Sequence, residues 1–230
     1  MIVGQGLIAN AFRAHYASDP GVVVYASGVS NSRETRSEEF ARERRMLQDY
    51  LGGDAVLLYF STCSVNDPEL VASPYVRHKK EMEALVAQSP RFAILRLPQV
   101  VGHTPNPNTL TNYLHGKVAS GAPFEVWGRA RRNLIDVDDV VCIVRHLLVD
   151  GWAEGQTIEV ASPFYSSIPE LIRIFEAVLA RKACYSVLDA GGAYPIDTSI
   201  AVEAARACGV RFDAAYVRLL LEKYYGSHAS

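Results

Sequence analysis

Residues 3–12 read VGQGLIANAF, where Gly4 and Gly6 separate a short apolar strand from a segment with helical periodicity. Glycines at such a junction permit a tight turn and leave the first amides of the helix open to whatever approaches. A helix N-terminus presents unpaired N–H donors and a positive dipole end, so an anion such as a pyrophosphate suits it. Ala9 stands where a third small residue lets helix and strand close on each other. As a bare string the pattern is weak. Its place after a strand, before a helix and at the head of an alternating chain is what points to a dinucleotide.

The alternation continues downstream. GVVVYASG (21–28), DAVLLYFST (54–62) and RFAILRLPQVV (91–101) are near-continuous apolar strands, and EEFARERRMLQDYLG (38–52) and YVRHKKEMEALVAQS (75–89) are helices between them. Strands without polar alternation are buried on both faces, which predicts a parallel sheet between two helical layers. After Gly102 the texture changes to a turn-rich loop (103–109), a helix (112–121) and a short strand (123–128). From about residue 163 onward three helical stretches, 168–180, 198–209 and 213–226, predict a smaller, mainly helical lobe beside the sheet. The expected division is therefore a nucleotide-binding domain over 1–162, with 102–135 contributing to the second lobe, and the lobe itself over 163–230.

Bulk properties exclude several classes. With 230 residues, 49% hydrophobic and 21% charged, the chain can bury a sizeable core. A net charge of −2 without basic clusters leaves no footprint for nucleic acid. The apolar runs fall well short of the about 20 residues of a membrane span, and no basic leader precedes the first strand, so a cytoplasmic protein is expected. Cys63, Cys142, Cys184 and Cys208 are scattered without ligand spacing, which suits reduced thiols and predicts no metal site.

Two further stretches carry chemistry. SPYVRHKKEME (73–83) places Tyr75 and Lys79 four apart on one helix face, behind the start signal Ser73-Pro74. FSTCSVND (60–67) ends a strand, and in a sheet of this kind strand ends and the following helix starts share the carboxyl edge. Thr62, Tyr75 and Lys79 can then converge: the phenol gives or takes a proton at a carbonyl or alcohol, the threonine holds the same oxygen, and the ammonium favours the phenolate. Where an acidic residue for the adenosine ribose is usual, about 20 positions after the glycines, the chain has Tyr25, Ala26, Ser27 and Gly28. Ser30, Ser32, Arg33 and Arg36 follow; they suit a 2′-phosphate, or else the capping and solvation of a helix beginning near Glu34.

These stretches, followed by LRLPQVVGHTP (95–105), RRNLIDVDDV (131–140) and IDTSIAVEAARACGV (196–210), occur in the order found in the extended short-chain dehydrogenase/reductases, the NAD-dependent epimerase/dehydratase family, which the chain resembles over nearly its whole length. The resemblance implies a Rossmann-like, doubly wound α/β sheet. It makes Thr62, Tyr75 and Lys79 the catalytic residues, with cofactor contacts from Gly4, Gly6, Leu7, Ile8, Ser27, Gly28, Lys79 and Pro98 and substrate contacts from Ser64 and Arg132. Asp138 and Asp139 look structural, and His103 and His115 stay outside the site. NAD or NADP is the implied cofactor, a nucleotide sugar the implied substrate, and a homodimer the implied assembly.

The departures are informative. Relatives carry two more strands between the first helix and the strand that YASGVSNS (25–32) resembles, so the sheet is expected to lack its second and third strands. In a second reading YASGVSNSR is itself the second strand, with Arg33 on a phosphate, but FSTCSVND then arrives too early. Cys63 and Ser64 replace the Asp-Glu pair that follows the catalytic Thr in sugar 4,6-dehydratases, so elimination is not expected. The implied activity is an NAD(P)-dependent 4-ketosugar reductase serving surface polysaccharide or deoxysugar biosynthesis; a nucleotide-sugar epimerase and a non-catalytic family member that binds a sugar nucleotide or protein are the alternatives.

Overall fold

The computed structural model describes residues 1–226; residues 227–230, the end of the expected second lobe, lie outside the described residues. The chain runs β1 (Ile2–Val3), α1 (Leu7–Tyr16), β2 (Val22–Tyr25), α2 (Ser37–Gln48), β3 (Val56–Thr62), a 3-10 turn (Cys63–Asn66), α3 (Pro74–Val86) and β4 (Phe92–Leu97). It continues with β5 (Gln99–Val101), α4 (Leu110–Ser120), β6 (Phe124–Trp127), β7 (Arg131–Asp136), α5 (Val137–Val149), β8 (Gln156–Glu159), β9 (Tyr165–Ser167), α6 (Ile168–Val178), β10 (Tyr185–Leu188), α7 (Ser199–Ala207) and α8 (Tyr216–Tyr225). Among the described residues no helix is long and apolar enough to cross a membrane.

The central sheet has five strands in the order β1-β2-β3-β4-β8, all parallel. Side chains alternate between its faces, as strand geometry requires. Val24, Leu58, Ala93 and Leu95 pack under Phe12 and Tyr16 of α1, Val140 and Val144 of α5 and Ala204 of α7. Tyr25, Leu57, Tyr59 and Ile94 face the opposite way, under Leu47 of α2 and Met82 and Val86 of α3. Both faces are apolar, which is why these strands lack polar alternation.

The order carries a topological consequence. From β1 to β2 and from β2 to β3 the chain steps one place in the same direction, yet α1 lies on one face and α2 on the other. The two crossovers therefore have opposite hands, although parallel crossovers are right-handed in about 98% of cases. In the order 3-2-1-4-5-6 the chain moves away from strand 1 both ways, which puts the first helix and the later ones on opposite faces. Removing the second and third strands leaves α1 on its face and makes β1 a sheet edge, as observed. Had 25–33 been a true second strand, β1 would have lain inside the sheet. The crevice at which helices diverge survives between the ends of β1 and β2.

Other elements depart from the sequence reading. RFAILRLPQVV is two strands, because Pro98 has no N–H to donate: β4 stays in the central sheet while β5 pairs with β7, which also takes β9 antiparallel. β10 adds to β6 in a two-stranded parallel sheet. Neither β9 nor β10 was expected, since both are short and largely uncovered. The second core gathers Leu114 and Val118 of α4, Leu171, Ile172 and Phe175 of α6 and Leu220 and Leu221 of α8. α7 instead returns to the central sheet beside α5.

Candidate active site

At the end of β1 the two glycines do different work. Gly4 has φ +123°, and a Cβ there would sit 2.4 Å from the Ala26 carbonyl oxygen, so only glycine fits against β2. Gly6 is the N-cap of α1 with an ordinary φ of −78°, no side chain caps the helix, and a Cβ would meet nothing within 4 Å. Ala9 is fully buried against the sheet. The turn thus leaves free amides facing open space, a cradle that fits a pyrophosphate. Leu7 packs on Gly102, and Ile8 on the core under α1. The adenosine side is different: along the free edge of β1 runs an open cleft of about 590 Å3, lined by Gln5, Arg13, Ser27, Met46 and Tyr50 and, among the described residues, by no carboxylate. Of the polar cluster after Gly28, Arg36 forks onto Glu34 at 3.0 and 2.8 Å, whereas Ser30, Ser32 and Arg33 are exposed.

These roles separate by mutation. Gly4→Ala is expected to destabilise the fold by about 2 kcal/mol or more through left-handed strain and overlap with Ala26. Gly6→Glu should leave the melting temperature unchanged while removing dinucleotide binding, because it sets a carboxylate where an anion belongs. Titrating both variants with NADH and NADPH and melting them checks this; a stable Gly4→Ala or a binding-competent Gly6→Glu contradicts it.

Thr62 ends β3, and its hydroxyl accepts the Ser64 amide at 3.1 Å, which starts the 3-10 turn. α3 begins as Ser73-Pro74 announces, with Ser73 accepting the Val76 amide at 3.2 Å. Its first turn brings Tyr75, 7% exposed and packed with Val29, Val65 and Val76, beside the Thr62 hydroxyl. Burial pushes the Tyr75 phenol well above its usual range; Thr62 opposes this, while the charges of Glu43 and Tyr194 add to it. Tyr75 is therefore a neutral phenol at physiological pH.

Lys79 is one turn on and 3% exposed, but its ammonium is already engaged, donating to Glu43 Oε1 and to the Tyr59 hydroxyl, each at 3.1 Å. Glu43, from α2, also accepts the Val29 amide at 2.6 Å, the Tyr59 hydroxyl at 2.7 Å and His78 Nε2 at 2.9 Å. Burial alone would raise the Glu43 carboxyl; Lys79, His78, Val29 and Tyr59 together hold it at about 2. Sequence reading missed this residue. Its signal was an acid on an inward helix stripe, between Phe40 and Leu47 at spacings of three and four. Lys80, by contrast, is exposed.

Across the crevice, residues 189–198 fold back over the strand ends. Tyr194, 8% exposed, lies beside the Ser64 hydroxyl, and its carbonyl accepts Tyr165 at 3.1 Å. Arg132, on β7, donates to the Arg131 and Gly192 carbonyls at 2.8 and 3.2 Å, and its charge acts on Tyr194. Ser64, Arg132 and Tyr194 thus share one wall; Tyr194 had no motif to announce it. Arg96 forks onto Glu83 at 2.9 and 2.7 Å, and Asn66 and the Asp197 amide donate to Glu159 at 2.6 and 2.7 Å, tying that loop to the sheet. Cys63 is fully buried, with its thiol pushed up by burial, a packed group and no base. His103 lies against Tyr224 and His115 among Phe175 and Tyr225, both away from Tyr75. Pro98 sits where β4 and β5 part. Asp136 caps α5 and with Asp138 holds Lys223 at 2.8 and 2.7 Å, while Asp139 accepts Tyr216 at 2.6 Å, so these acids are structural.

A family model described as the NAD dependent epimerase/dehydratase family matches residues 13–161. Among solved structures the chain is similar to the UDP-glucuronic acid 4-epimerase from Bacillus cereus in complex with UDP-glucuronic acid and NAD, at 18% identity and a TM-score of 0.65 over 84% of this chain and 71% of that one. It is likewise similar to TunA, an NAD dependent NDP-hexosamine 5,6-dehydratase involved in tunicamycin biosynthesis, at 21% identity, TM-score 0.65, and 85% and 73% coverage. A third is RMD from Pseudomonas aeruginosa complexed with NADPH, at 16% identity and TM-score 0.62 over 95% of each chain. At these identities the likeness is one of fold. No match was found among curated proteins.

Proposed function

The chain belongs to the NAD dependent epimerase/dehydratase family, and on that premise we propose that it is an NAD(P)-dependent oxidoreductase of a nucleotide-linked sugar, reducing a 4-keto group to the alcohol. The observation that carries the reading is the Tyr75 phenol lying beside the Thr62 hydroxyl at the carboxyl edge of the sheet, with Tyr75 held neutral by burial and by Glu43. Gly4, Gly6, Ser27, Gly28, Lys79 and Pro98 would hold the dinucleotide, and a dihydronicotinamide bound there supplies the hydride. Thr62 holds the carbonyl oxygen, and Tyr75 gives it a proton as negative charge develops. Ser64 and Arg132 meet the substrate, the guanidinium suiting a diphosphate. A neutral phenol weighs against an epimerase, whose first step takes a proton from an alcohol. Cys63 and Ser64 provide no acid/base pair for a dehydratase.

The reading is tested by adding NADH and NADPH to the protein and following nicotinamide fluorescence and melting temperature. Reduced cofactor at about a hundred times its Kd should stabilise the fold by about 2.7 kcal/mol, and a UDP- or dTDP-linked 4-ketosugar should then oxidise it. No response to either cofactor removes the reductase and leaves a binding protein, a reading that the missing adenosine edge favours.

A further inference from the structure

The reaction as read gives Glu43 no contact with substrate or cofactor, yet no ionisable side chain among the described residues is more completely enclosed: it has no exposed surface, and each carboxylate oxygen accepts two donors. Oε2 is pinned by the Val29 amide and by His78, whose ring stacks on Phe40 at 4.6 Å and closes the outer side. Oε1 meets the Lys79 ammonium and the Tyr59 hydroxyl, which also bond to each other. Gly28 lies directly on this pair, since a Cβ there would come within 2.7 Å of both Glu43 Oε1 and Lys79 Nζ. The ion pair therefore forms the floor of the crevice at the end of β2.

We propose that Glu43 is a positioning residue for the Tyr75–Lys79 pair: it fixes the Lys79 ammonium beneath Gly28 and cancels its charge, so that Tyr75 enters the reaction as a neutral acid. The proposal rests on Tyr75 being the proton donor. A lysine one turn from a buried phenol stabilises the phenolate only to the extent that its charge is uncompensated, and a carboxylate 3.1 Å from Nζ compensates it. Among the described residues, the other groups facing Tyr75 carry no positive charge to replace it: Tyr59 from β3, Tyr194 from the loop and the Thr62 hydroxyl. His78 is turned to the far oxygen of Glu43. The geometry favours proton delivery to a carbonyl oxygen over proton removal from an alcohol, which gives the site a preferred direction.

The test needs neither cofactor nor substrate, so its outcome and that of the cofactor titration, which tests the reductase reading, are separately readable. Tyrosinate absorbance is followed against pH for the wild type, Glu43→Gln and Glu43→Gln/Lys79→Met, each subtracted from its Tyr75→Phe counterpart so that one tyrosine of the 12 is read. In Glu43→Gln, Tyr75 should ionise lower by roughly one pH unit or more, at least tenfold in the proton equilibrium, because Lys79 then acts alone. Adding Lys79→Met should restore the wild-type behaviour. A Glu43→Gln variant in which Tyr75 does not move, or a double variant that keeps the shift, overturns the proposal. If Glu43→Gln fails to fold, the charge-neutral double variant decides: wild-type titration supports cancellation, and displacement by roughly one unit refutes it.

Discussion

Tyr75→Phe is expected to lower kcat by roughly 10²- to 10⁴-fold, the range over which a positioned proton donor contributes. Cofactor affinity should stay within a factor of two or so, since only the hydroxyl is lost and it faces Thr62, while the ring stays packed with Val29, Val65 and Val76. The fold should lose no more than about 1 kcal/mol, the net worth of one hydroxyl's hydrogen bond. Steady-state kinetics beside a cofactor titration check this. A variant with unchanged kcat removes Tyr75 from the chemistry, and one that loses cofactor affinity in step with kcat makes it a binding residue. Burial pushes the phenol up, so the wild type should show no alkaline limb from Tyr75 in the mildly alkaline range, because the acid form persists there.

What the sequence made legible was local or ordered along the chain. The glycine turn, the Ser73-Pro74 start and the four-residue spacing of Tyr75 and Lys79 are short-range, and the succession of apolar strands carried Thr62 to the same sheet edge. Hidden features depended on contacts between distant segments. β9 and β10 are three and four residues long and exist through pairing with β7 and β6. Tyr194 reaches Ser64 only because residues 189–198 return over the sheet. The clearest miss is electrostatic: spacing predicts that Tyr75 and Lys79 share a face, as they do, yet says nothing of a third residue 36 positions earlier that claims the lysine. Convergence of residue types is legible in sequence; the charge state of the result depends on burial and on every partner present.

That charge state sets the second large effect, the loss of Lys79. Lys79→Met should destabilise the fold by about 3–5 kcal/mol near neutral pH, the consequence of leaving a buried charge without its partner. The pH dependence should also reverse. In the wild type the Glu43 carboxyl falls from 4.5 to about 2 on folding, so its contribution is fully present above about pH 4.5 and disappears as pH drops through about 2. Without Lys79 the charge opposing burial is gone, burial dominates, and the folded carboxyl titrates above its ordinary value. The folded state then holds the proton more tightly than the unfolded chain, so stability falls as pH rises past the ordinary carboxylate range. The gap between wild type and variant should therefore be widest near neutrality and narrow steadily toward pH 4.5, whereas loss of packing alone would give a constant gap. Denaturant midpoints across that interval distinguish the two. A constant gap would mean that Glu43 is held by Val29, Tyr59 and His78 without needing the lysine, and that Lys79 is free to act on Tyr75 with its full charge.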